Sequence, residues 1–263
     1  MAKRKKHLFS GVVGPVIFKI LRGEQLVTAR PKTGTIKQSE GSIKAQSTFG
    51  ISSKLSGKIR QSFVSLLKNR EDSCVSGRVT GALNIILQQV RNKATNRFSF
   101  ESNAFDSLTD LDFNSEAPMN KYLLVNPVVN FDRQQLTVEL LLSNPTASIR
   151  FPDNAKACRL TVAVCCFALA DGLRFMHPLR KDLMIEKEES KLDVEKFNFT
   201  VPAGCLCIVT TSLVFLSGTV ASGRALSGLK LNPSGISAAV ITAGTFSKTE
   251  EFPWIEMDGL RLA

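Results

Sequence analysis

The chain has 263 residues, of which 43% are hydrophobic and 22% charged, and its formal net charge is +11. This length and composition are those of a globular protein with a sizeable core, and they exclude a low-complexity or intrinsically disordered chain. Seventeen Phe beside one Trp and one Tyr argue against a Tyr/Trp-rich recognition surface of the antibody kind.

The positive charge is concentrated at the front of the chain. Residues 1–70 contain 15 basic and two acidic residues, whereas residues 71–263 contain 19 basic and 21 acidic ones. A basic end predicts an anionic partner, which is a nucleic acid, an acidic patch on another copy or a membrane surface. A solvated tail that aids solubility is the alternative for residues 3–6. The residues placed to contact phosphates are Lys3, Arg4, Lys5, Lys6, Arg22 and Lys32.

The first twenty residues imitate a secretory signal, because a basic stretch precedes an apolar one. Ser10, Gly11, Gly14 and Pro15 interrupt the apolar stretch and Lys19 closes it, so we expect no signal peptide. The longest apolar runs, residues 160–170 and 205–216, fall short of the ~20 residues that span a bilayer. We therefore expect no membrane insertion and a cytoplasmic or virion-associated protein.

Two β-rich runs, residues 16–21 and 25–31, flank a glycine-containing turn and predict a hairpin. Glycines just upstream predict a bend or a close backbone approach, and a proline ends the second strand because it cannot donate to a ladder. A lone hairpin is marginal in water, so it must dock on its own body or on another copy. The residues of this predicted assembly hairpin are Gly11, Gly14, Phe18, Leu21, Gly23, Val27, Arg30 and Pro31.

After a polar linker at residues 32–41, the apolar period becomes that of a helix. A second run with the same period follows, weakened by Gly77 and Gly81, and the two predict a helical pair joined near residues 69–73. Both apolar stripes are expected to be core. They consist of Ile51, Leu55, Ile59, Phe63, Leu66 and Leu67, and of Val75, Val79, Leu83, Ile86, Leu87 and Val90.

From residue 97 onward, short alternating runs are separated by turn residues, which predicts an antiparallel β-sandwich. Residues 159–170 are almost continuously apolar and indicate a central strand covered on both sides. The other predicted strands are residues 98–100, 111–113, 122–125, 136–142, 183–187, 197–201, 206–216 and 238–246, with a long loop at 218–235. The expected interior positions are Val162, Val164, Leu206, Ile208, Val214 and Val240.

The expected fold is thus mainly β with α: an antiparallel β-sandwich preceded by an N-terminal β-hairpin and a helical pair. We place a basic arm with the hairpin and two helices at residues 1–95, and the sandwich body at 96–263.

The residues that usually carry catalysis do not form a recognisable set. The two histidines, His7 and His177, have no evident triad partners, and no glycine loop ends in Lys-Ser/Thr. The carboxylates of Asp106, Asp110 and Asp112 either bind a cation or are solvated near a turn. Five of the six cysteines lie in apolar runs without zinc-type spacing, so buried free thiols are expected. We expect no enzyme, no catalytic residue, no metal and no cofactor.

The order Gly11-Val-Val-Gly14, Arg22-Gly23-Glu24 and Ala29-Arg30-Pro31, followed by residues 35–38 (Thr-Ile-Lys-Gln), resembles an uncharacterised Bacteroidota family known as a domain of unknown function. The resemblance covers residues 9–67. It implies a Gly-x-x-Gly start, a hairpin with an Arg-Pro exit, a helix and a strand-rich C-terminal domain. The family's aromatic residue before the turn is Leu21 here. No activity comes with the resemblance.

Two functions remain open at this point. The first is a structural, self-assembling protein, such as a filament subunit or a phage virion or tail component, with other copies of itself as partners. The second is a nucleic-acid-binding protein that uses the basic segment on phosphates, which requires only charge. Few aromatic residues are interleaved with the basic ones, which disfavours a stacking platform for single strands.

Overall fold

The structure, a computed structural model, describes residues 3–5, 8–21, 24–30, 40–67, 72–92, 94–132, 134–142, 144–189 and 194–262. The chain forms two compact units, residues 1–46 and residues 47–263. The described elements confirm the predicted class: mainly β with α, with antiparallel sheets preceded by an N-terminal hairpin and helices.

The first unit contains a four-stranded antiparallel meander in the order β1-β2-β3-β4. Its strands are β1 (Lys3–Lys5), β2 (Leu8–Val13), β3 (Val16–Leu21) and β4 (Glu24–Ala29). The hairpin of β3 and β4 confirms the sequence prediction. The strands β1 and β2 were not predicted, and they turn the hairpin into one half of a sheet.

The helical pair is also confirmed. Helix α1 spans Glu40–Ser62, a short α2 spans Val64–Leu67, and α3 spans Val75–Val90. Helix α1 begins at Glu40, within the predicted linker, and residues 32–39 of that linker lie outside the described residues. Ten of the twelve stripe residues are buried, and Ile51 and Val90 pack against the same core from a partly exposed position.

The second unit contains two antiparallel sheets. The smaller sheet has the order β10-β6-β5, and the larger one has β7 and β11 at its centre. The strands are β5 (Val128–Asp132), β6 (Gln135–Leu141), β7 (Ala157–Ala168), β8 (Leu173–Phe175), β9 (Leu179–Glu186), β10 (Val194–Thr200), β11 (Leu206–Leu216), β12 (Ser234–Ile241) and β13 (Trp254–Glu256).

The large sheet is covered on both faces, as the apolar run of its central strand predicts. Every residue of β11 is buried. On one face, Arg174 Nη1 donates to Ser62 Oγ of α1 at 3.2 Å. On the other, Lys181 Nζ of β9 lies 5.6 Å from the ring centre of Phe199 in the smaller sheet. Both sheets and both long helices share one hydrophobic core.

The interior prediction holds at five of its six positions. Val162, Val164, Leu206, Ile208 and Val214 are buried. Val240 is partly exposed, because it lies on β12, which ends the strand order of the large sheet.

Three predicted strands are wrong. Residues 98–100 and 111–113 contribute only isolated bridges, at Phe98 and at Asp112. Tyr122 ends a helical turn, α4 (Met119–Tyr122), which begins after Pro118, and Leu123 contributes only an isolated bridge. Proline favours the first turn of a helix, and tertiary contacts here override the apolar pattern.

The predicted loop at 218–235 includes a short 3-10 helix, η2 (Leu229–Leu231), and ends where β12 begins. Two further short helices are η1 (Asp106–Leu108) and α5 (Pro145–Ser148).

The two compact units meet between Gln46 and Ser47, whereas the sequence places the end of the arm at residue 95. The difference has a physical reason. The buried stripes of both helices belong to the same core as the sheets, so from Ser47 onward the helices group with the second unit.

Candidate interaction surface

The N-terminal sheet lacks a core of its own. Among its described side chains none is buried, and those of Val13 and Val27 are 51% and 52% exposed. The apolar side chains of Phe9, Val12 and Leu26 are exposed as well. Sheets normally bury one face, so this sheet presents apolar surface that a partner can cover.

One face of the sheet is apolar over most of its length. The register places Phe18 beside Val27 and Val16 between Val13 and Ala29, and side chains on directly opposite residues share a face. The ring of Phe9 lies 6.1 Å from that of Phe18, which brings it to the same side. The face consists of Phe9, Val13, Val16, Phe18, Ile20, Val27 and Ala29, with Gln25 as a polar member and with Arg4 opposite Phe9 in the register.

Two glycines shape the sheet, as the sequence predicts. Gly14 has φ 56° in the two-residue loop between β2 and β3, where a tight hairpin turn requires positive φ at its first central position. Gly11 has φ 124° within β2. The Phe9 N–H donates to Gln25 Oε1 of β4 at 3.1 Å, so the chain before Gly11 bends over the face of the neighbouring strands.

The remaining residues of the predicted assembly hairpin fall in different places. Phe18 and Val27 are direct neighbours on the apolar face. Leu21 is the last residue of β3, and Arg30 directly follows β4 with an exposed side chain. Gly23 and Pro31 lie outside the described residues.

Of the predicted phosphate contacts, three are placed by the structure. Lys3, Arg4 and Lys5 form β1, and the register places Arg4 opposite Phe9. Lys6, Arg22 and Lys32 lie outside the described residues. Lys19 is exposed on β3, although the sequence did not indicate it as a phosphate contact.

The second unit carries a carboxylate network that supports structure. Asp72 Oδ2 accepts from Arg78 Nη2 and from Ser115 N and Oγ at 2.7–2.8 Å, and its Oδ1 accepts from the Cys74 N–H. Burial alone would raise the pKa of Asp72, but these bonds outweigh it and hold the pKa well below the usual range. The network ties the start of α3 to the loop around residue 115.

A buried arginine lies between the large sheet and α1. Arg174 is 4% exposed, and its Nη1 donates to Ser62 Oγ and to the Phe175 carbonyl. Burial raises the pKa of the neighbouring Cys165 thiol to about 12, although Ser62 and Arg174 oppose the shift. A thiol with so high a pKa is a poor nucleophile, so this group indicates packing and not catalysis.

A groove of about 260 Å³ lies between β9 and β10. Arg180 and Lys181 line one side and Asn198 and Thr200 the other. Arg180 is bound to Asp182 at 2.7 Å, and Lys181 lies over the Phe199 ring. Both cations thus have partners within the protein.

The acidic and sulfur-containing side chains form no evident metal site in the part of the chain that the structure describes. Asp112 accepts from the Met119 N–H, and burial raises its pKa. Cys158, Cys165, Cys166, Cys205 and Cys207 are buried free thiols and Cys74 is exposed.

No family model, curated protein or solved structure matches the chain. The resemblance of residues 9–67 to a Bacteroidota family therefore stays a prediction from the sequence. Within the described residues, no helix is long and apolar enough to cross a bilayer.

Proposed function

We propose that this is a non-enzymatic structural protein, a subunit of a larger assembly, in which the N-terminal sheet supplies contacts between copies. The observation that carries the proposal is that this sheet has an apolar face and no buried side chain among those described. Apolar surface gains free energy on leaving water, at roughly 25 cal/mol per Å². Association with another copy is the simplest way for such a sheet to realise that gain.

The test is the molar mass of the full-length protein by light scattering, compared with that of Val27→Asp. A carboxylate on the apolar face in the middle of β4, where Val27 is 52% exposed, must be desolvated on association, so the variant is expected to shift toward the monomer. The control is Leu124→Asp, which adds the same charge to a 46% exposed residue of the second unit. The proposal fails if wild type is monomeric throughout, or if Val27→Asp and Leu124→Asp associate as wild type does.

Nucleic-acid binding is a second candidate, favoured by one specific observation. The register places Arg4 of the basic strand β1 opposite Phe9, whose side chain is 43% exposed. A basic residue at the register position opposite an exposed ring is a combination that suits a phosphate and a base. Binding of this kind weakens steeply with salt, because each neutralised phosphate releases counterions.

The test of this candidate is the fluorescence anisotropy of labelled single-stranded DNA at increasing salt. Replacing Lys3, Arg4, Lys5 and Lys6 with Ala should weaken binding irrespective of base sequence. No binding by wild type at low salt would remove the candidate.

A further inference from the structure

The two outer strands of the N-terminal sheet are edges of opposite kinds. Strand β1 has three residues, all of them basic, and short, charged edge strands protect proteins against pairing with other chains. Strand β4 has six residues and no charge between Glu24 and Arg30. Leu26 and Val27, at its centre, are exposed. Among the strands that the structure describes in this sheet, β4 is therefore the edge without such protection.

The ladder between β3 and β4 determines which backbone groups of this edge point outward. The Arg30 N–H donates to the Pro15 carbonyl at 2.7 Å, and this pair continues the register of the two strands. Hydrogen-bonded and non-hydrogen-bonded pairs alternate in an antiparallel ladder, so the even-numbered residues 24–30 turn their backbone groups toward β3. The N–H and C=O groups of Gln25, Val27 and Ala29 point away from the sheet.

We propose that β4 pairs antiparallel with β4 of a second copy, with Val27 opposite the partner's Val27. The two meanders then form one continuous sheet across a two-fold axis. This inference rests on the proposed self-association and names one contact between two copies.

The backbone supports this register. With Val27 on the axis, Gln25 faces the partner's Ala29, so all three outward-facing residues of each strand find a partner. Each hydrogen-bonded pair exchanges two N–H···O bonds. Main-chain bonds of this kind drive the addition of a strand to an exposed edge.

The charges support the same register. Glu24 stands opposite the partner's Arg30, and the two-fold axis produces this pair twice. These are non-hydrogen-bonded positions, where opposite side chains approach most closely. Moving the register by one pair in either direction leaves Glu24 or Arg30 opposite an uncharged residue, Thr28 or Leu26. Parallel pairing would bring like charges together.

The side chains add an apolar seam to the contact. Val27 lies beside Phe18 on the apolar face, so joining two copies at Val27 makes the two apolar faces continuous. Because one patch meets its own copy, the contact is isologous and closes as a dimer.

The test measures the dimerisation constant of full-length protein by sedimentation equilibrium at low salt. In Glu24→Arg or Arg30→Glu, both cross-strand pairs become repulsive, and we expect dimerisation to weaken roughly tenfold to a hundredfold. The double variant Glu24→Arg/Arg30→Glu restores opposite charges and should dimerise like wild type. Mixing the two single variants should yield a heterodimer that neither forms alone.

Two further variants separate this contact from other effects. Lys196→Glu makes the same charge change as Arg30→Glu on a strand of the second unit and should leave dimerisation unchanged. Val27→Pro removes one outward N–H without breaking a bond to β3, so the protein should fold and remain monomeric. If wild type associates and the charge and proline variants associate equally well, the β4 contact is wrong while self-association stands. If wild type never associates, both proposals fail.

Discussion

Asp72 links two segments that are distant in sequence. It accepts hydrogen bonds from Arg78 and Cys74 at the start of α3 and from Ser115 in a loop. Its side chain is 8% exposed. Removing the charge would leave buried donors without an acceptor, which costs more than the bonds themselves contribute.

We expect Asp72→Asn to lower the free energy of unfolding by about 2–3 kcal/mol at pH 7. The amide nitrogen would face the donors of Arg78 or Ser115. Urea denaturation measures the effect, and Asp153→Asn, at an exposed turn, is the control that should change little.

The pH dependence of this difference has a definite sign. The pKa of Asp72 is depressed in the folded protein, so its contribution is present above the unfolded pKa of about 3.9 and is lost as the pH falls below it. The gap between wild type and Asp72→Asn should therefore narrow from pH 7 to pH 2. A constant gap would contradict the ionised network.

The thiols provide a second prediction at this scale. Burial raises the pKa of Cys158 and of Cys165 to about 12, whereas Cys74 is exposed. After brief treatment of the native protein with iodoacetamide, mass spectrometry should find one label per chain. The Cys74→Ser variant should carry none. All six thiols should react after unfolding. Several labels in the native protein, or a disulfide, would be the contrary result.

For single residues, the sequence predicts which side chains are buried better than it predicts which side chains contact each other. Continuous apolar runs identify the buried positions of β7 and β11, and the helical period identifies those of the helices, because burial of this kind follows from the residues of a single element. The bonds of Asp72 to Ser115 join residues 43 positions apart, and no local pattern encodes such a contact.

Within the helices and turns, replacing a glycine with alanine should raise the free energy of unfolding at some positions and lower it at others. Gly77 and Gly81 lie within α3, and an added Cβ would meet nothing within 4 Å. Replacing either with Ala should raise the free energy of unfolding by about 0.5–1 kcal/mol, because glycine loses more backbone freedom in a helix.

Gly204 is the opposite case. It has φ +67°, and an added Cβ would lie 2.4 Å from the Phe246 nitrogen. Gly204→Ala should therefore cost more than about 2 kcal/mol. Thermal unfolding of the three alanine variants tests both signs, and a stable Gly204→Ala would refute the close approach.

The elements that the sequence predicts well are those with a long periodic or apolar run, or with a clear turn. They are α1, α3, β3, β4, β7 and β11. The strand β2 was missed, although Gly14-Pro15 suits a tight hairpin turn, because Gly11 interrupts its alternation. Short strands such as β8 and β13 have three residues each and depend on the sheet around them. Their pairing is a tertiary effect that the local sequence does not carry.

The whole molecule divides into a meander and a body with its own core. Every buried apolar residue among those described is at or after Leu55. Deleting residues 1–31 should therefore leave a folded body whose denaturant midpoint stays close to that of the full chain. Circular dichroism during urea unfolding measures this, and outright unfolding of the truncated chain would show that the meander is needed for the core.

The most direct measurement is sedimentation equilibrium of the full-length protein over a wide concentration range, at low and at high salt. The account predicts an average mass that rises with concentration above the 28.8 kDa of the single chain, and that falls back toward it in Val27→Asp. A mass of one chain at every concentration and salt would contradict self-association through the N-terminal sheet.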